Sequence, residues 1–180
     1  MGTWNTRGLR GSTLEELINF TNEKYREHGI ALVQKIPTAI KPVEIDKESR
    51  HITMAYFEQK STVDYIGVVQ GVPICFDAKE CNTNTFPMQN IHEHQVNFMR
   101  EFEEQNGISF IIIYYTNRNE AYYLPYALIE QFFDRSKNGG RKSLLFEEID
   151  TSYKISTHKG VPLHYLEALS RDLESRENVG

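Results

Sequence analysis

The stretch TVDYIGVVQGVPICFDAK, residues 62–79, decides the fold. Two apolar runs, Thr62–Val69 and Val72–Lys79, flank Gln70 and Gly71, a pair suited to a tight hairpin turn. In the second run Ile74, Phe76 and Ala78 alternate with Cys75, Asp77 and Lys79, the period-two pattern of a strand with two different faces. Asp64 lies within the first run, with Thr62 on its own face. If the strands pair across the turn, Asp64, Asp77 and Lys79 meet on one patch. A carboxylate inside a strand is disfavoured unless something compensates it, and two carboxylates repel unless a cation lies between them. Oxygen-only ligation favours Mg²⁺ or Mn²⁺ over zinc. Such a site suits phosphodiester hydrolysis: the ion polarises a phosphoryl oxygen and activates water, and Lys79 positions that water or stabilises developing charge. The bland alternative is a solvent-facing hairpin, since an Asp-x-Lys spacing also arises by chance.

Working outward, Leu14, Leu17, Ile18, Thr21 and Tyr25 recur at helical spacing and predict a helix over 12–28, capped by Gly29. A short apolar strand follows at 30–34. Residues 37–48, punctuated by Pro37 and Pro42, read as a polar excursion from the core. Beyond the hairpin, residues 80–90 read as a polar loop and 91–105 as a helix. A strand at 108–115, a second at 121–124 and a helix to about 133 come next, with a last helix over 163–175. This order predicts a mixed sheet flanked by helices, in the α/β or α+β class.

The 180 residues, 39% hydrophobic, suffice for one sizeable core, so one domain over 1–180 is expected. No run approaches the ~20 apolar residues of a membrane helix, and Met1–Ser12 has no apolar run resembling a secretory signal. A soluble, cytoplasmic protein without membrane partners is the plain reading. Cys75 and Cys81 are too few for a disulfide scaffold and have no zinc spacing around them. The net charge of −5 weighs against nucleic-acid binding, but whole-chain charge does not locate positive patches. Arg7 and Arg10 precede the first acid, and Arg135, Lys137, Arg141 and Lys142 surround Gly139 and Gly140 without one. That group either holds phosphates or is a solvated loop.

Other residues can join the patch. Glu15, in the first turn of the first helix, reaches toward the strand ends as a third ligand, or completes a capping box with Ser12. Gln95 shares a helical stripe with Ile91, Phe98 and Phe102, so a polar amide points at the core and needs a partner. His92 and His94, at i and i+2 of a helix, face different directions and are assigned no metal.

Together these segments resemble a known family. GSTLEELIN (11–19), AYF (55–57), STVDY (61–65), FDAKE (76–80), FPMQNIH (86–92), His94 with Gln95, and GGRKS (139–143) resemble, in consistent order, the RecU family of bacterial Holliday junction resolvases. The similarity spans about 5–143. It implies an α/β, restriction-endonuclease-like PD-(D/E)xK fold and a homodimer whose subunits each nick one of two opposed strands. It implies Asp64 and Asp77 as metal ligands beside the catalytic Lys79, with Glu15 as the matching acid. Thr62 and Gln95 match positions in the same site, Thr62 among those that touch the metal. Lys35 matches a lysine near the scissile phosphate. Residues 37–57 correspond to a protruding stalk, with Lys41 on DNA backbone and Tyr56 and Phe57 stacked on junction bases, or packed at the stalk base. Arg141 and Lys142, in the basic loop, are expected to contact DNA. The expected partner is four-way junction DNA, with recombinase or branch-migration proteins as further candidates. Position 77 departs from the pattern: Asp stands where the family carries Glu, one methylene shorter. The stalk is short, and the match fades after Ser143. Readings that remain beside a resolvase are a less selective nuclease for branched DNA and a DNA-binding or recombinase-modulating protein.

Overall fold

A computed structural model describes residues 13–57, 62–158 and 160–178. In chain order the elements are α1 (Leu14–Glu27), β1 (Ala31–Lys35), β2 (Ile40–Ile45), β3 (Ile52–Phe57), β4 (Tyr65–Val69), β5 (Val72–Cys81), β6 (Thr85–Pro87), α2 (Glu93–Glu104), β7 (Ile108–Tyr115) and β8 (Glu120–Pro125). They continue with α3 (Tyr126–Lys137), β9 (Ser143–Leu145), β10 (Lys154–His158), β11 (Val161–His164) and α4 (Leu166–Glu177).

The predicted hairpin is present. Val69 pairs with Val72 across Gln70 and Gly71, whose φ values of 48° and 94° are those of a two-residue turn matched to strand twist. Glycine at 71 removes the penalty of the second positive φ. β5 then pairs in parallel with β7 through α2, so the hairpin and a β-α-β crossover share one strand. The full sheet runs β1-β4-β5-β7-β8-β10-β11, parallel only at β5–β7. It is the mixed sheet flanked by helices that the sequence predicts.

Alternation along the strands builds two cores. Cys75, Ile111, Ile113 and Leu124 face α2 and α3, whereas Ile74, Phe76, Phe110 and Ile112 face α1 and α4. Phe76 stacks between Tyr65 and Phe110 at centroid distances of 4.8 and 4.7 Å. Gly67 lets β1 approach β4: a Cβ there would lie 2.3 Å from the Leu32 carbonyl oxygen.

Several boundaries differ from expectation for identifiable reasons. The first helix is capped by Thr13 with Glu16, not Ser12 with Glu15; Ser12 lies outside the described residues, as do Arg7 and Arg10. The polar loop 80–90 contains β6, whose Phe86 pairs with Leu144 of β9 in a separate two-stranded sheet. Leu163 belongs to β11, so the last helix starts only at Leu166. The excursion is the hairpin β2–β3, a two-stranded sheet of its own in which every residue is exposed.

Candidate active site

Asp64 sits one residue ahead of β4 and not within it, because the ladder between β4 and β5 ends at Tyr65 opposite Phe76. Past that point the backbone N–H of Ala78 has no strand to bond. The Asp64 carboxylate accepts it at 2.9 Å, so the acid substitutes for the missing strand residue. The Asp64 carbonyl in turn accepts the N–H of Ile36 at 2.8 Å, tying the end of β1 to the same place.

Asp77 is fully buried on the face of β5 covered by α2. One carboxylate oxygen accepts a hydrogen bond from the Gln95 amide at 2.9 Å and lies 2.6 Å from the Lys79 ammonium, whose side chain is 19% exposed. The second oxygen is buried with no hydrogen-bond partner. Burial, then the neighbouring Asp64 carboxyl, push Asp77 up to about 7, with Lys79 pulling the other way. An orphaned carboxylate oxygen facing a second acid is a place where a cation relieves both desolvation and repulsion. The oxygen donors suit Mg²⁺ or Mn²⁺, so the residues present fit such an ion.

Gln95 needed a partner, and the partner is Asp77. Its amide oxygen meanwhile accepts the backbone N–H of His92 at 3.0 Å, so one side chain both caps α2 and fixes the acid. His92 precedes the helix, which lets its ring stack on His94 at 5.4 Å despite the i, i+2 spacing. Thr62 lies half-buried two residues before Asp64.

Glu15 is not brought to the carboxylate pair. With the cap filled by Glu16, its carboxylate bonds Lys35 on the α1 side of the sheet. Among the described residues no three His, Cys, Asp or Glu side chains lie close enough to share an ion. Lys35 thus stands at the end of β1, opposite Tyr65 and next to the Asp64 backbone. In the β2–β3 hairpin Lys41 pairs with Tyr56, and Tyr56 and Phe57 are 52% and 74% exposed, so neither packs at the stalk base. The basic group around Gly139 divides. Arg135 is committed to Glu148 at 2.5 Å and the Ser143 carbonyl at 2.8 Å, and Lys137 pairs with Glu93 at 3.2 Å. Arg141 and Lys142 are exposed without an ion pair among the described residues.

Sequence reasoning missed Glu80, whose carboxylate accepts the Leu14 N–H at 2.7 Å and fixes the start of α1 to the end of β5. It also missed the partly buried chain Tyr123–Asp172–Arg176–Glu103, which joins β8 and α4 to the end of α2. Neither leaves a local signal, because both are contacts between distant segments.

The chain matches the family model RecU, described as Recombination protein U, over residues 9–171, which extends the likeness well past Ser143. It is 46% identical over 147 residues to the "Holliday junction resolvase RecU" of Geobacillus sp. (strain WCH70), covering 79% of this chain and 73% of that one. To the protein of the same name from Pediococcus pentosaceus it is 41% identical over 175 residues, 93% of this chain and 86% of the relative. Among solved structures, the Holliday junction resolvase Hjc of Archaeoglobus fulgidus aligns with a TM-score of 0.37 at 7% identity, over 62% of this chain and 74% of that one, a likeness too weak to argue from. On the span of the family match and the identity to these relatives, this chain belongs to the RecU family.

Proposed function

We propose that this chain is a structure-selective endonuclease that resolves Holliday junctions in recombination and repair, as a cytoplasmic, Mg²⁺- or Mn²⁺-dependent homodimer. The observation that carries the catalytic reading is the buried, unpartnered oxygen of Asp77 beside Asp64 and Lys79. The names of relatives at 41–46% identity supply the substrate.

Asp64 and Asp77 would hold the ion, which supplies neutralisation of the phosphoryl oxygen and activation of the attacking water. The protein's own share is orientation and charge. Gln95 holds the Asp77 carboxylate in one rotamer through the 2.9 Å hydrogen bond. The Ala78 N–H does the same for Asp64. α2 keeps water off Asp77. Lys79, partly exposed, can move its ammonium from Asp77 to a non-bridging phosphate oxygen as negative charge grows there. Water adds to phosphorus, a P–O ester bond breaks, and the leaving oxygen takes a proton. Lys35 would meet backbone near the scissile phosphate. Lys41, Tyr56 and Phe57 would meet the junction centre, where aromatic faces stack on open bases.

The test is cleavage of a synthetic four-way junction beside a matched linear duplex, with Mg²⁺ or with chelator, across a salt series. The junction should be cut in symmetric nicks and the duplex spared. Asp64→Asn should abolish cutting and leave junction binding intact; normal cutting by that variant removes the site. Equal cutting of both substrates would make this a less selective nuclease.

A further inference from the structure

A hollow of about 530 Å³ opens between the start of α2, the end of α3 and the loop before β9. Gln89, His92, Glu93, Ser136, Lys137 and Lys142 supply its polar lining and Met88 part of its floor. Two lysines against one acid make it net positive in a chain of charge −5. Lys142 is held in place by main chain: its carbonyl accepts the Met88 N–H at 3.1 Å, and the adjoining Ser143 pairs with Pro87. The small sheet β6–β9 thus fixes a lysine against the first turn of α2, whose dipole adds positive potential. The hollow also communicates with the catalytic acid. The His92 N–H at its rim bonds the Gln95 amide oxygen, and the same amide donates to Asp77.

We propose that this hollow is a subsite for one DNA backbone phosphate flanking the bond to be cut, with Lys142 and Lys137 as its cationic groups and Glu93 as the anion that phosphate displaces. The subsite rests on the nuclease reading above and adds a place where the strand is held. The Lys137–Glu93 pair is more than half exposed on both sides, so it is weak and exchangeable. A phosphate entering there replaces Glu93 at Lys137 and adds Lys142, and it seats the backbone two hydrogen bonds from Asp77. The site selects position along the strand and not sequence, because phosphate contacts carry no base identity.

The experiment measures binding and single-turnover cleavage of a four-way junction by wild type, Lys142→Ala, Glu93→Gln and the control Lys24→Ala, an exposed α1 lysine paired with Glu27. Binding is read without divalent ion over a salt series. Lys142→Ala should bind several-fold more weakly and flatten the slope of log K against log salt by about one. Glu93→Gln should bind more tightly, and Lys24→Ala should match wild type. Junctions carrying a single neutral methylphosphonate at successive positions near the cut should reveal one position that weakens wild type but not Lys142→Ala. If every methylphosphonate penalty persists undiminished in Lys142→Ala, the subsite is wrong while the nuclease reading stands. If wild type neither binds nor cuts the junction, both fall.

Discussion

β5 and the β2–β3 hairpin are both apolar-rich strand segments, yet they sit at opposite extremes of burial. Residues Ile74 to Asp77 of β5 are fully buried, an acid included, while all twelve residues of β2 and β3 are exposed, with Ile40, Val43, Ile45, Ile52, Met54 and Phe57 among them. The buried segment owes its geometry to two cores and to Gln95. The hairpin owes its geometry to its own ladder and to a tip in which the Asp46 carboxylate accepts from the Ser49 hydroxyl at 2.7 Å and the Glu48 N–H at 2.9 Å. Those bonds hold the Asp46 carboxyl below its ordinary range. The difference separates two jobs. Chemistry needs an acid fixed and dried by neighbours on every side, whereas contact with a large, shaped polymer needs side chains that the core does not own.

Substitutions can break that contrast. After Asp64→Asn, which should abolish cutting, the largest effect is expected from Lys79→Ala, which removes the ammonium 2.6 Å from Asp77. Junction cleavage should fall by roughly 10²–10³-fold, while junction binding without divalent ion holds; a rate within a fewfold of wild type would mean that the buried patch is not where catalysis happens. Next comes Gln95→Ala, which takes the one side-chain amide off Asp77 and unties the first turn of α2. Cleavage should drop by about 10–100-fold, with a rise in the Mg²⁺ concentration needed for half-maximal rate. An unchanged Mg²⁺ requirement would assign Gln95 a purely structural role. The smallest effect belongs to the hairpin. Phe57→Ala should weaken junction binding by about 1 kcal/mol or somewhat more if the ring stacks on a base, leave duplex binding alone, and move folding stability by less than about 0.5 kcal/mol. A large drop in melting temperature would show that Phe57 is packed in solution after all.

Much of this protein could be read locally. The turn at Gln70 and Gly71, the alternation through Asp77 and Lys79, and the helical stripes of Leu14–Tyr25 and Gln95–Phe102 each depend on neighbours within a few residues, so strand, helix and face followed from spacing, although Ile91, expected in the second stripe, precedes α2. The same spacing placed Asp64, Asp77 and Lys79 on one patch, and the structure brings them together. Only the tertiary structure decided who satisfies whom. Glu15 bonds Lys35 because Thr13 and Glu16 take the cap, Gln95 serves Asp77, and Arg135 is spent on Glu148. It also decided that β6 and β9 pair, and so where Lys142 stands. Side-chain alternation is a property of consecutive residues, but the partner of a buried polar group is set by the packing of segments tens of residues apart, and no local pattern encodes it.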